Sequence, residues 1–162
     1  MKEPFSSALH LDPHIEGGWC RRTWESPVLL EGTDPQAEDQ PCASVIYYAI
    51  DPGKPVIWHR IRSAEIWFYQ GGSPVEVILG GTGPDPVHEA TIVLGPDPGK
   101  GHRLQVVIQP DTWQREVLLG DEQGLCSCVV VPGFTFGEWE AITEDGTRLG
   151  PEDARSFGEG LP

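Results

Sequence analysis

The sequence contains no long hydrophobic run. None of its apolar stretches approaches the roughly 20 residues that a helix needs to cross a bilayer, and its first four residues lack the apolar core of a signal peptide. These two absences predict a cytoplasmic protein without a membrane-spanning helix.

Positive charge is also scarce. Lysine and arginine number 11 against 25 aspartates and glutamates, which gives a formal net charge of −14 at neutral pH. The resulting field repels phosphate backbones and anionic lipid headgroups. The sequence also carries no phosphate-binding loop, dinucleotide fingerprint or nucleophile motif. We therefore expect a small-molecule substrate, and neither nucleic acid nor a membrane as a partner.

The sequence shows no pattern of a long helix, because 20 glycines and 16 prolines occur at short intervals along its 162 residues. β-branched and aromatic residues fill the stretches between them. Such a pattern is typical of an all-β domain that closes into a barrel or jelly roll, which removes exposed strand edges. Strands are predicted at residues 45–50, 56–62, 65–70, 75–79, 90–94, 104–109, 113–119, 125–131 and 137–142.

The length fits one domain, which we expect to span residues 1–145. A short helix is predicted near residues 6–11, and the acidic, proline-bearing stretch 31–40 has the composition of a mobile loop. Residues 146–162 are rich in glycine, proline and charge, so we expect a flexible tail or one that contacts a second subunit.

Four cysteines, Cys20, Cys42, Cys126 and Cys128, could pair, but a chain with a real core needs no disulfide, so we expect reduced thiols. Cys126 and Cys128 share one face of an apolar strand. Buried core positions are favoured there over metal ligation.

The most specific pattern is the spacing of Gly53, His59, Ile61, Glu65 and Gly72. It resembles the first cupin motif, G-x5-H-x-H-x3-E-x6-G, with isoleucine at the second histidine. Because alternate residues of a strand share a face, His59 and Glu65 are predicted to point into the barrel.

The second cupin motif, P-x-G-x2-H, would place its conserved residues at Gln109, Asp111 and Gln114, and none of them is kept. The resemblance implies a metal site of three histidines and one glutamate, of which Ile61 and Gln114 replace two. Isoleucine cannot ligate, and an amide oxygen suits the relevant metals poorly. We expect no cofactor; a divalent metal, if bound, would be held by His59, Glu65 and Gln114.

Wider stretches identify a narrower family. They are PHIEGGW at 13–19, RRTWES at 21–26, WHRIRSAEIW at 58–67, LGPD at 94–97, QVV at 105–107, WQ at 113–114, and Cys128 followed by PGF at 132–134. Together they resemble the cupin-5 family, also called DUF985. The resemblance implies a single cupin (jelly-roll) β-barrel, usually a homodimer, whose fold is similar to that of dTDP-sugar 3,5-epimerases. Phe68, Cys20 and Gln109 depart from the family's common residues.

Several side chains are candidates for catalysis. His59 could act as a general base, as in the sugar epimerases, with Glu65 orienting the imidazole; the alternative is a buried structural histidine and a structural ion pair between Glu65 and an arginine. Tyr47 and Tyr69 could donate a proton, although large aromatic residues in a small barrel often serve packing.

Substrate binding is assigned to a wider set. Strand alternation turns Trp67 inward, and Gln114 at the second-motif position should offer a neutral hydrogen-bonding group. Trp113 then faces the other way or caps the rim of the barrel. The two adjacent glycines of the 13–19 segment permit a lid over the barrel mouth. Residues that this lid and the stretch after it could bring to the ligand are His14, Glu16, Arg21 and Thr23, with Arg21 as a clamp for an anion.

These features predict a metal-independent isomerase or epimerase that acts on a small polar metabolite, with His59 as the base and Glu65 as its partner. Two alternatives remain open. One is a metal-dependent oxygenase or isomerase that uses His59, Glu65 and Gln114, and the other is a non-catalytic module that binds a small molecule.

Overall fold

The computed structural model describes residues 3–32 and 39–159. Within them, no helix is both long and apolar enough to cross a membrane. The elements, in chain order, are α1 (Phe5–Ala8), β1 (Asp12–Pro13), β2 (Trp19–Glu25), β3 (Leu29–Leu30), β4 (Gln40–Pro41), β5 (Ser44–Ile50), β6 (Trp58–Ile61), β7 (Ala64–Gly71), β8 (Val75–Leu79), β9 (Ala90–Leu94), β10 (Gln105–Ile108), β11 (Gln114–Leu118), β12 (Gly124–Val131), β13 (Trp139–Ile142), β14 (Arg148–Leu149) and α2 (Pro151–Glu159).

Two six-stranded antiparallel sheets form the jelly roll. One has the order β1-β2-β5-β12-β7-β10 and the other β14-β13-β6-β11-β8-β9. The prediction of an all-β cupin barrel is confirmed, and the predicted strands correspond to β5 to β13 within two residues at their ends.

The core lies between the sheets and follows strand alternation. On β7 the buried positions include Glu65 and Trp67, while Phe68 points to the other face and is half-buried. Cys126 and Cys128 are free and fully buried in the main core cluster. Because the side-chain period is two, a shift of one residue in these strands would turn the whole inner set outward.

The two glycines of the first motif occupy backbone positions that suit glycine. Gly53 has φ +69° and Gly72 has φ +79°, both in the left-handed region. At Gly72 a Cβ would lie 2.0 Å from the carbonyl oxygen of Gln123, whereas at Gly53 it would meet nothing within 4 Å. The spacing of the motif therefore reflects the two turns that flank the pair β6 and β7.

Three segments differ from the sequence-based expectation. β2 was not among the predicted strands, because most of its residues are exposed and it shows no apolar alternation. Of the predicted loop 31–40, residues 33–38 lie outside the described residues, and Gln40 begins β4. The 146–162 segment, expected to be flexible or to contact a second subunit, has secondary structure up to residue 159: β14 pairs with β13, and Ala154 of α2 packs in a buried cluster with barrel residues.

Candidate functional site

One cavity of about 280 Å³ lies at the end of the barrel where β2, β5, β6 and β7 meet. Its inner wall includes Tyr48, His59, Ile61, Glu65 and Trp67. Most of the wall is apolar, and ionisable side chains reach it from several elements. The cavity therefore joins the two first-motif residues, His59 and Glu65, in one enclosed space.

His59 is held at both ring nitrogens and is only 3% exposed. Its Nδ1 lies 2.9 Å from the carbonyl oxygen of Ile57, which can only accept a hydrogen bond, so Nδ1 carries a proton. Its Nε2 lies 3.5 Å from Oε2 of Glu16. This geometry leaves Nε2 as the atom that gains or loses a proton in the cavity.

Glu16 comes from the turn between β1 and β2. Gly17 and Gly18, with φ of +102° and +68°, bend the chain so that this carboxylate is buried against the barrel. It accepts a hydrogen bond from Nε1 of Trp139, and its Oε2 lies 3.4 Å from Nδ1 of His14. The 13–19 segment thus covers the barrel and brings His14 and Glu16 to the cavity.

Burial and charge shift the pKa values of this pair in opposite directions. Burial alone would favour the neutral acid at Glu16, but the positive charges of His59 and His14 outweigh it and lower its pKa to about 2. Burial likewise opposes protonation of His59, but Glu16, Glu116 and Glu65 raise its pKa to about 9. At neutral pH the pair is therefore an imidazolium beside a carboxylate, and the ion-pair partner of His59 is Glu16 rather than Glu65.

Glu65 has a separate partner. The amide nitrogen of Gln114 donates a hydrogen bond to Oε2 of Glu65 at 2.7 Å, and both side chains are buried. Burial raises the pKa of Glu65, while the positive charge of His59 and the Gln114 bond oppose the shift. Trp113 faces the other side of the sheet, with the Arg60 guanidinium 4.5 Å from its ring centre.

A third buried carboxylate, Glu116, was missed by the sequence analysis. It follows Gln114 by two residues on β11, so it points into the barrel, and it is completely buried. Neither of its carboxyl oxygens has a hydrogen-bond partner among the described residues. Burial raises its pKa to about 8, despite the opposing charge of His59. The same strand alternation that turned Gln114 inward would have predicted the inward direction of Glu116.

The tyrosine that reaches the cavity is Tyr48, not Tyr47 or Tyr69. The Tyr48 hydroxyl donates to the carbonyl oxygen of Gly17 at 2.5 Å, and its ring contacts that of Trp67. Tyr47 lies on the opposite face of β5 and packs on a separate cluster. Tyr69 donates to the carbonyl oxygen of Gly72 at 2.7 Å. The proton-donor prediction for Tyr47 and Tyr69 therefore falls on side chains that do not line this cavity.

β2 contributes two arginines to the cavity wall. Arg21 lies opposite Tyr47 and Arg22 opposite Ile46, and Ile46 belongs to the cavity wall. Both Arg21 and Arg22 line the cavity, and Arg22 also pairs with Glu25. Thr23 donates to a backbone carbonyl at 3.2 Å and is not part of the wall.

The side chains present do not form a metal site of the usual cupin kind. Ile61 occupies the position of a ligand in the cavity wall, and Gln114 directs its amide nitrogen, which cannot ligate, at Glu65. Across the described ranges, no group of three or more histidine, cysteine or acidic residues is arranged to hold a metal ion. The donor set does not fit the metal of the resembling motif.

Comparisons with known proteins agree with this architecture. The family described as "Cupin superfamily (DUF985)" matches residues 4–142. The structure of protein SO0799 from Shewanella oneidensis is 25% identical, with a TM-score of 0.75 and coverage of 89% of this chain and 87% of that one. A hypothetical protein from Leishmania major is 23% identical, with a TM-score of 0.76 and coverage of 88% and 87%.

A more distant structure carries a name that mentions an activity. It is a dTDP sugar isomerase from Desulfovibrio desulfuricans G20, 18% identical, with a TM-score of 0.54 and coverage of 79% of this chain and 83% of that one. At that identity the likeness shows the fold alone. No curated protein matches the chain.

Proposed function

The chain belongs to the DUF985 family of the cupin superfamily, and we propose that it is a metal-independent acid–base enzyme of the isomerase or epimerase class. The observation that carries the proposal is the presence of a proton donor and a proton acceptor on one cavity. His59 is held protonated by Glu16, and Glu65 is a buried carboxylate whose pKa is raised. Proton transfer next to a carbonyl requires one group that donates a proton and a second group that accepts one.

The geometry modifies the roles expected from the sequence. A base must be unprotonated, but His59, with a pKa of about 9, carries its second proton at neutral pH. We assign His59 as the general acid, whose Nε2–H binds the oxygen of a substrate carbonyl. Glu65 then removes the proton from the neighbouring carbon, because a carboxylate whose pKa is raised by burial is a stronger base than an exposed one.

The proposed reaction balances through an enol. The electrons of the broken C–H bond form a C=C bond, the carbonyl oxygen takes the Nε2 proton of His59, and Glu65 holds the carbon's proton. In a hydroxycarbonyl substrate, return of the proton from Glu65 to the former carbonyl carbon gives an isomer, and the other hydroxyl of the enediol gives its proton to Nε2 of His59. A solvent proton delivered to the opposite face of the original carbon gives an epimer; the enol hydroxyl then returns its proton to His59, and Glu65 releases its proton to solvent. His59 regains its proton from the enol or enediol hydroxyl when the carbonyl re-forms, and Glu16 remains ionised and stabilises the imidazolium.

The proposal uses only groups that this cavity contains. The fold likeness to a dTDP sugar isomerase adds a second line of support, since a reaction of this class is named for a barrel of the same architecture. The acidic chain, with its net charge of −14, favours a small metabolite that enters the enclosed cavity over a large anionic polymer.

The test is solvent deuterium exchange. The purified protein is incubated in D₂O with a panel of hydroxyaldehydes, hydroxyketones, 2-oxo acids and dTDP-linked keto sugars, and NMR follows deuterium at the carbon next to the carbonyl. We expect exchange with one class, its loss in Glu65→Gln and His59→Asn, and no change in His88→Asn, which alters an exposed histidine. Equal exchange in wild type and Glu65→Gln would show that Glu65 is not the base.

A second candidate is a binding module without catalysis. It is favoured by one observation, namely that both polar groups of the cavity already have protein partners, His59 with Glu16 and Glu65 with Gln114. In that case the protein would bind a compound of the panel with measurable affinity, and no member of the panel would gain deuterium.

A further inference from the structure

The cavity has a second, aromatic end that the proposed reaction does not use. Phe134 and Phe136 follow β12, and Phe157 comes from α2; all three line the cavity. We call these three residues the aromatic roof. The family match ends at residue 142, so Phe157 and the helix that carries it lie outside the matched region.

α2 is fixed to the barrel of its own chain. Ala154 is 2% exposed and packs with Ile61 and Trp139 in a buried cluster. The backbone N–H of Gly150 donates to the Asp153 carboxylate at 2.8 Å, which satisfies a group at the start of the helix. Packing against the barrel therefore holds the helix at one side of the cavity.

The aromatic roof exposes rings where a ligand would cover them. Phe134 and Phe136 meet edge to face, with ring centres 5.4 Å apart at 81°. Phe136 and Phe157 remain 39% and 37% exposed. Apolar surface left in water is unfavourable at about 25 cal/mol per Å², so a planar or apolar group placed against these rings would gain free energy from its burial and from ring contacts.

The polar groups come from other elements of the wall. His59, Glu16 and Glu65 come from β6, the N-terminal turn and β7, and none of these elements carries a roof residue. A ligand that reaches both parts must have a polar reactive end and an apolar end. The volume of about 280 Å³ lies at the lower limit of ordinary ligand pockets, about 300 to 1,000 Å³, and suits one ring rather than a dinucleotide.

We infer that α2 and the aromatic roof select the substrate class: small carbonyl metabolites that carry a single ring or a comparable apolar group beside the reactive carbonyl. The polar end meets His59 and Glu65, and the apolar end lies under Phe157. This inference rests on the proposed function for the position of the reactive end, and its apolar selectivity is measured separately from turnover.

The test compares phenylpyruvate with pyruvate, which share the 2-oxo acid group and differ by one ring. Isothermal titration calorimetry measures both affinities for the full chain. We expect phenylpyruvate to bind at least tenfold more tightly. Phe157→Ala should reduce that preference by roughly three- to tenfold, the size of one aromatic contact, and Ser156→Ala, in the same helix but absent from the cavity wall, should leave it unchanged.

A filling variant gives the opposite perturbation. A Cβ at Gly158, also in the wall, would meet nothing within 4 Å, so Gly158→Leu should fold and narrow the space under the roof. We expect this variant to weaken the binding of phenylpyruvate more than the binding of pyruvate. Circular dichroism and the thermal midpoint check that each variant is folded.

The outcomes separate the two proposals. Equal affinities for the two acids, no measurable binding of either, or a preference that survives both helix variants would overturn the inference about the aromatic roof. A preference for phenylpyruvate without deuterium exchange by any panel compound would overturn the acid–base function and leave the selectivity standing. Deuterium exchange without any preference for phenylpyruvate would support the acid–base function and overturn the inference about the aromatic roof.

Discussion

Glu116 offers the sharpest quantitative prediction. Its carboxyl is completely buried, and both of its oxygens lack a hydrogen-bond partner in the part of the chain that the structure describes. In the folded protein its pKa is about 8, against an ordinary value of 4.5. We therefore expect Glu116 to be a neutral acid in the folded state at pH 7 and ionised in the unfolded chain.

The sign of the pH dependence follows from proton binding. Between pH 4.5 and 8 the folded state keeps the Glu116 proton and the unfolded state releases it, so the free energy of unfolding falls as the pH rises. At about 1.4 kcal/mol for each pH unit of difference, this one group lowers stability by roughly 5 kcal/mol across the window. Above pH 8 its contribution no longer changes.

Glu116→Gln keeps the size of the side chain and removes its titration. Urea unfolding, followed by tryptophan fluorescence at pH 5, 6, 7, 8 and 9, gives the free energy of unfolding of both proteins. The variant should gain stability relative to wild type as the pH rises, by several kcal/mol between pH 5 and 8. His59, whose pKa is raised to about 9 partly by Glu116, also makes stability fall above pH 6.5. It does so by a smaller amount in the variant, because the substitution removes the charge of Glu116, so the two effects act in the same direction.

Glu76→Gln is the matched control, because Glu76 lies on the neighbouring strand β8, is half-buried and alternates with the inward Val75 and Val77. The difference in the free energy of unfolding between Glu76→Gln and wild type should stay constant across this pH range. Parallel curves for Glu116→Gln and wild type would refute the reasoning, since they would mean that Glu116 ionises in the folded protein as readily as in the unfolded chain.

Two further predictions test the ion pair and the motif turns. Glu16→Gln should lower the pKa of His59 from about 9 towards its usual 6.5, because Glu16 is the strongest influence that raises it; ¹⁵N NMR of the imidazole measures this, and an unchanged pKa would contradict the pairing. Gly53→Ala should cost about 1–2 kcal/mol for its left-handed backbone alone, whereas Gly72→Ala should cost considerably more, because its Cβ would also overlap a backbone oxygen. Thermal unfolding measures both, and similar midpoints for the two variants would contradict the steric argument.

Strand alternation made much of the barrel interior predictable. The first-motif spacing placed His59 and Glu65 on inward positions, and the structure brings both into one cavity. The same rule placed Trp67 inward and Phe68 outward. These predictions succeed because alternation is a local property of an extended backbone and needs no knowledge of which strands meet.

The choice among neighbouring residues was less successful where no motif set the register. Tyr47 was chosen as a site residue, but its neighbour Tyr48 has the inward direction, and Arg22, which lines the cavity beside the predicted Arg21, was missed. β2 was not recognised as a strand, so its alternation could not be applied. An error of one position turns a side chain to the opposite face of a sheet.

Composition and local pattern by themselves determined the all-β class and the inward direction of His59 and Glu65, since strand propensity and alternation are local properties of the chain. Only the tertiary structure decided that Glu16, 43 positions before His59 in the chain, is its ion-pair partner, and that α2 covers the cavity. Both depend on where a distant segment packs against the end of the barrel. Burial then set the charge states, because the pKa of a carboxyl or imidazole responds to the solvent and charges that folding removes or brings near.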